Sequence, residues 1–268
     1  MGKNLIARNN INRIGSGSQT IMFAHGYGCD QHMWRYITPA FEEAYDIILF
    51  DHVGSGNSDE NEYRFEKYNT LKGYADDIIE LCENLELTEV IFVGHSVSSM
   101  IGALAAAKRP ELFKQLIMIG PSPCYINDDN YYGGFSKEDI DELIDTLESN
   151  YLGWSSLITP VIMGNPDKPE FTEELNNSFC RMNPEIAKHF AKVTFLGDNR
   201  QDLSKITTPV LIIQCHPDVI APIKVGQFVY GSVQNGSYKL LEVSGHCPHL
   251  TAPDQTIQAL KSYIENYN

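Results

Sequence analysis

No apolar run in the chain approaches the ~20 residues needed to cross a bilayer, which argues against a membrane-spanning protein. The first residues, Met1-Gly2-Lys3-Asn4-Leu5-Ile6, lack the apolar core of a secretory leader, and Ile6 breaks the myristoylation pattern. Positive charge is scarce: 20 Lys and Arg face 35 Asp and Glu, a net charge of -15. That balance argues against a general affinity for nucleic acid or anionic membranes. The cysteines Cys29, Cys82, Cys124, Cys180, Cys215 and Cys247 show no C-x-x-C pair and no regular spacing. Free, buried thiols and a cytoplasmic location are expected. The histidines do not pair at H-x-x-x-H spacing and no carboxylate or thiol cluster joins them, so no metal and no cofactor is expected. The loop Gly54-Ser55-Gly56 is not a nucleotide fingerprint, because the third glycine is absent and no helix follows directly.

What remains is an ordinary globular composition, 43% hydrophobic and 21% charged. Residues 1–18 suggest short edge strands. Apolar β-branched runs at Thr20–Ala24, Asp46–Phe50, Glu89–Val93, Leu116–Ile119, 209–213 and Tyr238–Val243 read as strands. Helical spacing appears at Leu71–Leu85, Met100–Lys108, 223–232 and Asp254–Glu265. Strands alternating with helices indicate an α/β fold, a mostly parallel sheet with helices on both faces. From Tyr125 to Asp198 the alternation stops, and helical stretches near 136–150, 152–163, 169–180 and 184–195 are punctuated by Asn150, Pro160, Asn165-Pro166 and Asn183-Pro184. A segment this long needs structure of its own. The expected organisation is a core of residues 1–124 and 199–268 with an inserted four-helix lid over 125–198.

Parallel sheets carry their functional loops at strand carboxyl ends. The run Ile91-Phe92-Val93-Gly94-His95-Ser96-Val97-Ser98 ends a strand and opens a helix, the setting of a nucleophile elbow, with Ser98 where Gly usually stands. A serine hydroxyl needs a base and a group to orient that base. Asp218 and His246 follow the next strands in the order Ser, Asp, His, and form the expected triad with Ser96. His249 is the competing base; His95 should point back toward the sheet edge, and His216 and Asp254 read as surface residues. Donors for a developing oxyanion are expected from the backbone N–H groups of Val97 and of Tyr27, in the glycine-flanked loop His25–Gly28.

Together with Gly26-Tyr27-Gly28-Cys29-Asp30-Gln31, Pro121–Asp128, Tyr132-Gly133-Gly134-Phe135, Asp218–Pro222 and Gly245–His249, these motifs resemble the RsbQ-like α/β-hydrolases of a bacterial stress-sigma-factor pathway. They are also similar to the plant karrikin and strigolactone receptors, over about residues 5 to 266. The resemblance implies an α/β-hydrolase fold, a triad at Ser96, Asp218 and His246, and a helical lid over a small apolar pocket. By position the pocket would be lined by Tyr27, Tyr125, Phe135, Leu143, Trp154, Ile158, Phe195 and Val219. Tyr27 stands where the relatives usually have Phe, which would add a hydroxyl at the pocket mouth. The implied function is hydrolysis or sensing of a small apolar ester- or lactone-like ligand, with a PAS-domain phosphatase as partner. A metabolic carboxylesterase and a binding module with vestigial catalysis are the alternatives.

Overall fold

The structure is a computed structural model that describes residues 2–266. Among them the sheet has seven strands, β1 (Asn12–Gly15), β2 (Gln19–Ala24), β3 (Tyr45–Leu49), β4 (Val90–His95), β5 (Phe113–Ile119), β6 (Val210–Cys215) and β7 (Gly236–Leu241). Their spatial order is β1-β3-β2-β4-β5-β6-β7, with β1 antiparallel to β3 and every other pairing parallel. The helices are α1 (Gly2–Arg8), α2 (Leu71–Asn84), α3 (Val97–Lys108), α4 (Lys137–Ser149), α5 (Tyr151–Met163), α6 (Pro169–Arg181), α7 (Pro184–Phe195), α8 (Ile223–Ser232), α9 (Pro248–Thr251) and α10 (Pro253–Asn266). This is the mostly parallel α/β sheet expected.

The central strands are continuous apolar runs because both of their faces are covered. Side chains alternate across the sheet. Met22, Phe92, Leu116, Met118 and Ile212 pack with residues of α2, α3 and α8. Ile21, Phe23, Ile91, Val93, Ile117 and Ile213 pack with Trp34, Phe41 and the α10 residues Leu260 and Ile264. Each such fully buried side chain contributes roughly 1.5–3 kcal/mol.

Between β5 and β6 the chain forms α4 to α7, and short polar residues set their starts. The Ser136 hydroxyl accepts from the Asp139 N–H while the Asp139 carboxylate accepts from the Ser136 N–H, a reciprocal cap. The Asn150 and Asn183 side chains accept from Gly153 and Glu185 at the starts of α5 and α7, and prolines open α6 and α7.

Two expectations need correction. Residues 1–18 hold the helix α1 as well as the edge strand β1, and Met1 lies outside the described residues, as do 267 and 268 of the expected core. Seven helical residues give too few turns for periodicity to show. Cys180 is exposed, whereas the other cysteines are buried; all six are free. Among the described residues no helix is long and apolar enough to cross a membrane.

Candidate active site

β4 lies at the centre of the sheet between β2 and β5, so its carboxyl end is flanked by loops on both sides. There Ser96 adopts φ 55° and ψ −122°, a conformation few non-glycine residues take, and its N–H donates to the Ile119 carbonyl at 2.8 Å. The turn lifts the serine off the end of β4 while α3 starts immediately beyond it. Its side chain meets residues from two other strand exits.

The Ser96 Oγ lies 2.8 Å from His246 Nε2, and His246 Nδ1 lies 2.7 Å from Asp218 Oδ2. Asp218 is almost fully buried, and its other oxygen accepts from the N–H groups of Ile220 at 2.9 Å and Ala221 at 3.1 Å. A carboxylate held this way accepts a hydrogen bond from Nδ1–H, which leaves the Nε2 lone pair facing the serine hydroxyl. The structure thus brings Ser96, His246 and Asp218 into one hydrogen-bonded chain.

The loop after β2 presses against the elbow. A Cβ on Gly26 would lie 3.3 Å from the Ser96 Cβ and 2.7 Å from His95 Nδ1, so only glycine allows this approach. Among the described residues, the backbone N–H groups of Tyr27 and Val97 donate to no other group. Ser98 does more than substitute for a small residue. Its hydroxyl donates to the His25 carbonyl and accepts from His52 Nε2–H at 2.7 Å, tying the Tyr27 loop to the elbow helix. Position 98 is therefore a fastening that the motif pattern alone does not disclose.

Above Ser96 is a small cavity of about 30 Å³ lined by Tyr27, Cys29, His95, Tyr125, Ile162, Leu175, Thr194, Phe195, Ile220, His246 and Cys247. Of the expected lining residues, Tyr27, Tyr125 and Phe195 border this cavity. Burial pushes the Tyr125 phenol pKa up, and a hydrogen bond with Ser96 opposes that. Four other expected lining residues are elsewhere. Phe135, Leu143, Trp154 and Ile158 line an outer groove of about 460 Å³ between α4 and α5, together with Asp139, Glu142, Thr146 and Leu157. The wall between the two spaces is aromatic: Tyr27 meets Trp154 and Phe179 edge-on at 6.2 and 5.3 Å. The Tyr27 hydroxyl is not at a pocket mouth; it is buried and donates to the Ala187 carbonyl of α7 at 2.9 Å. Val219 lines neither space and is 57% exposed. The Asp218 carboxylate accepts from Ile220 and Ala221 in a tight turn that puts Val219 at its outer tip and Ile220 inside.

Cys29, His95, Ile162, Leu175, Thr194, Ile220 and Cys247 line the cavity without having been expected, His95 having been expected to point back toward the sheet edge. Helical spacing held a signal for one of them, because Ile158 and Ile162 are one turn apart on the same face of α5. His249, the competing base, is buried between Trp34 and His95, with ring centroids 4.7 and 4.4 Å away, and touches neither Ser96 nor Asp218 by hydrogen bond. Burial pushes its pKa down to about 3, helped by the charges of His246 and Arg35. His95 and His52 are also held well below the usual histidine range by burial, so all three are neutral near pH 7. His216 and Asp254 are exposed, and among the described residues no cluster suited to a metal ion is present.

An α/β-hydrolase-fold family profile matches residues 19–140. A hydrolase from Oleispira antarctica of known structure is 40% identical and superposes with a TM-score of 0.97, covering 99% of this chain and 97% of that one. The Karrikin insensitive 2 receptor CA of Petunia hybrida is 36% identical over 96% of each chain. Strigolactone esterase D14 of Arabidopsis thaliana is 34% identical over 96% of this chain and 97% of its own. Sheet order, elbow and relatives agree: the chain belongs to the α/β-hydrolase family and is similar within it to a plant Karrikin insensitive 2 receptor and a plant strigolactone esterase.

Proposed function

We propose that the protein is a serine hydrolase that cleaves or senses a small apolar ester- or lactone-like ligand, with Ser96, His246 and Asp218 as its triad. The observation that carries this reading is the unbroken chain from Ser96 Oγ through His246 to Asp218, with contacts of 2.8 and 2.7 Å. In it, His246 Nε2 takes the Ser96 proton as Oγ attacks the substrate carbonyl. Asp218 keeps the imidazole in the right tautomer and stabilises its charged form. The N–H groups of Tyr27 and Val97 receive the developing oxyanion, each donor worth about 3 kcal/mol. His246 then protonates the leaving alcohol, and a water repeats the sequence on the acyl-serine.

The α4–α7 segment acts as a lid on the core. A cavity of about 30 Å³ has room for a water or two and none for an ester. Ligand entry therefore moves the roof that Ile162 of α5, Leu175 of α6, and Thr194 and Phe195 of α7 provide. The outer groove beside Trp154 is the natural approach. The names of the plant relatives, a receptor and an esterase, support coupling of this chemistry to signalling. The likeness to the RsbQ-like branch suggests a PAS-domain phosphatase as partner and a role in stress response.

The test is hydrolysis of nitrophenyl esters from acetate to octanoate by the wild type and Ser96→Ala. Turnover of short esters that the substitution lowers by about a thousandfold or more supports the reading. Activity that survives in Ser96→Ala contradicts it. A pull-down with and without ligand tests the partner, and recovery of none at stoichiometric level would leave a metabolic carboxylesterase as the better account.

A further inference from the structure

The main chain around His246 is a junction of three segments. Its carbonyl accepts from His95 Nε2 on the elbow at 2.8 Å, and the Gly245 N–H donates to the Pro217 carbonyl beside Asp218 at 2.9 Å. The third partner is unexpected: the His246 N–H donates to the Ile162 carbonyl in the last turn of α5, at 2.9 Å. A helix of the inserted segment thus terminates directly on the backbone of the base.

Side chains reinforce the joint. Asn165 Nδ2 donates to the carbonyls of Met163 at 2.7 Å and Ser244 at 2.8 Å, spanning the two segments. The Ser244 hydroxyl returns a bond to the Gly164 carbonyl at 2.7 Å. The backbones touch so closely that a Cβ on Gly245, at φ +92°, would lie 1.9 Å from the Met163 carbonyl oxygen. Just before the joint, Pro160 sits inside α5 and cannot donate to the preceding turn. The outer part of the helix is therefore less firmly tied to its end than an unbroken ladder would make it.

We propose that Asn165 is a positioning residue for His246: it locks the end of α5 onto the Ser244–His246 strand exit and so couples the seating of that helix to the alignment of the imidazole with Ser96. The inference rests on the triad reading above. When α5 lifts to admit a ligand, the same bonds pull on the base; when it reseats, they return the imidazole to reach of Ser96.

The test compares Asn165→Ala, Ser244→Ala and Lys168→Ala. The Lys168 ammonium also fastens the inserted segment to the core, through the Thr251 carbonyl at 2.7 Å, but away from the His246 backbone. Two readouts are followed: kcat and KM on nitrophenyl acetate, and the proton resonance of the His246 Nδ1–H bonded to Asp218, assigned by its loss in His246→Gln. Misalignment of a base by a fraction of an ångström is felt mainly in kcat, so Asn165→Ala should lower kcat about 10- to 100-fold with KM within about threefold. Its Nδ1–H resonance should shift or broaden. Ser244→Ala should follow in the same direction by about three- to tenfold, and Lys168→Ala should stay within about twofold. Unchanged kcat and an unchanged resonance in both Asn165→Ala and Ser244→Ala would overturn the proposal, as would a loss confined to KM. If Asn165→Ala fails to fold, Ser244→Ala decides. If the wild type hydrolyses no ester, the functional reading fails, and the resonance alone still decides whether Asn165 positions the imidazole.

Discussion

The inner cavity and the outer groove are adjacent, yet they are built on different principles. The inner one is small, about 30 Å³, and its lining includes Ser96 and His246, with Asp218 bonded behind the imidazole. The outer one is open and larger, about 460 Å³, with an apolar surface rimmed by Asp139 and Glu142. What separates them is the packing of Tyr27 against Trp154 and Phe179, with Tyr27 also tied to α7. The wall between the two spaces thus belongs partly to the core and partly to the inserted helices.

Removing the wall should have the largest effect. Trp154→Ala leaves a void where a nearly fully buried indole stood, at a cost of about 3–5 kcal/mol. It should also join the two spaces, so that longer nitrophenyl esters gain relative to acetate; denaturant titration and the ester series read the two effects. An unchanged chain-length profile would show that the wall does not set ligand size.

The surroundings of the inner site should show themselves in pH dependence. His52, His95 and His249 have lowered pKa values in the fold, that of His249 about 3 against an ordinary 6.5. Below pH 6.5 the unfolded chain binds protons that the folded one refuses, so stability falls as pH drops, for His249 by about 1.4 kcal/mol per pH unit. Above 6.5 these groups contribute no slope. His249→Phe keeps the ring against Trp34 and should flatten the decline between about pH 4 and 6 by that amount, as thermal unfolding across pH would record. An unaltered slope would mean that His249 is protonated in the fold.

Tyr27→Phe keeps the ring in the wall and deletes only the bond to Ala187, so the expected loss is about 1 kcal/mol. The smallest effect belongs to the residue the structure moved out of both spaces. Val219→Ser, at the exposed tip of the Asp218 turn, should change stability by less than about 0.5 kcal/mol and leave ester kinetics untouched. A clear kinetic effect would put Val219 back in the ligand's path.

The fold was legible because its signals are local. The apolar runs at Ile91–Val93 and Leu211–Ile213, bounded by turn residues, read as strands covered on both faces, and Asn150 and Asn183 stand at helix starts, where their side chains cap α5 and α7. Ser96, Asp218 and His246 could be picked out because strand exits converge at one edge of a parallel sheet. The lining was less legible because it depends on which way a side chain turns. Val219 and Ile220 are neighbours on opposite sides of one turn, and Ile158 and Ile162 share a helix face that starts in the groove and ends in the cavity. The bond from His246 to Ile162 joins residues far apart in the chain through backbone atoms, which no residue type announces.

The most direct measurement of the central claim is covalent labelling with a small organophosphonate ester, read by intact mass and peptide mapping. The account predicts one adduct per chain, on Ser96, formed quickly in the wild type and greatly slowed in His246→Ala. An adduct on another residue, or a rate on Ser96 that does not depend on His246, would contradict it.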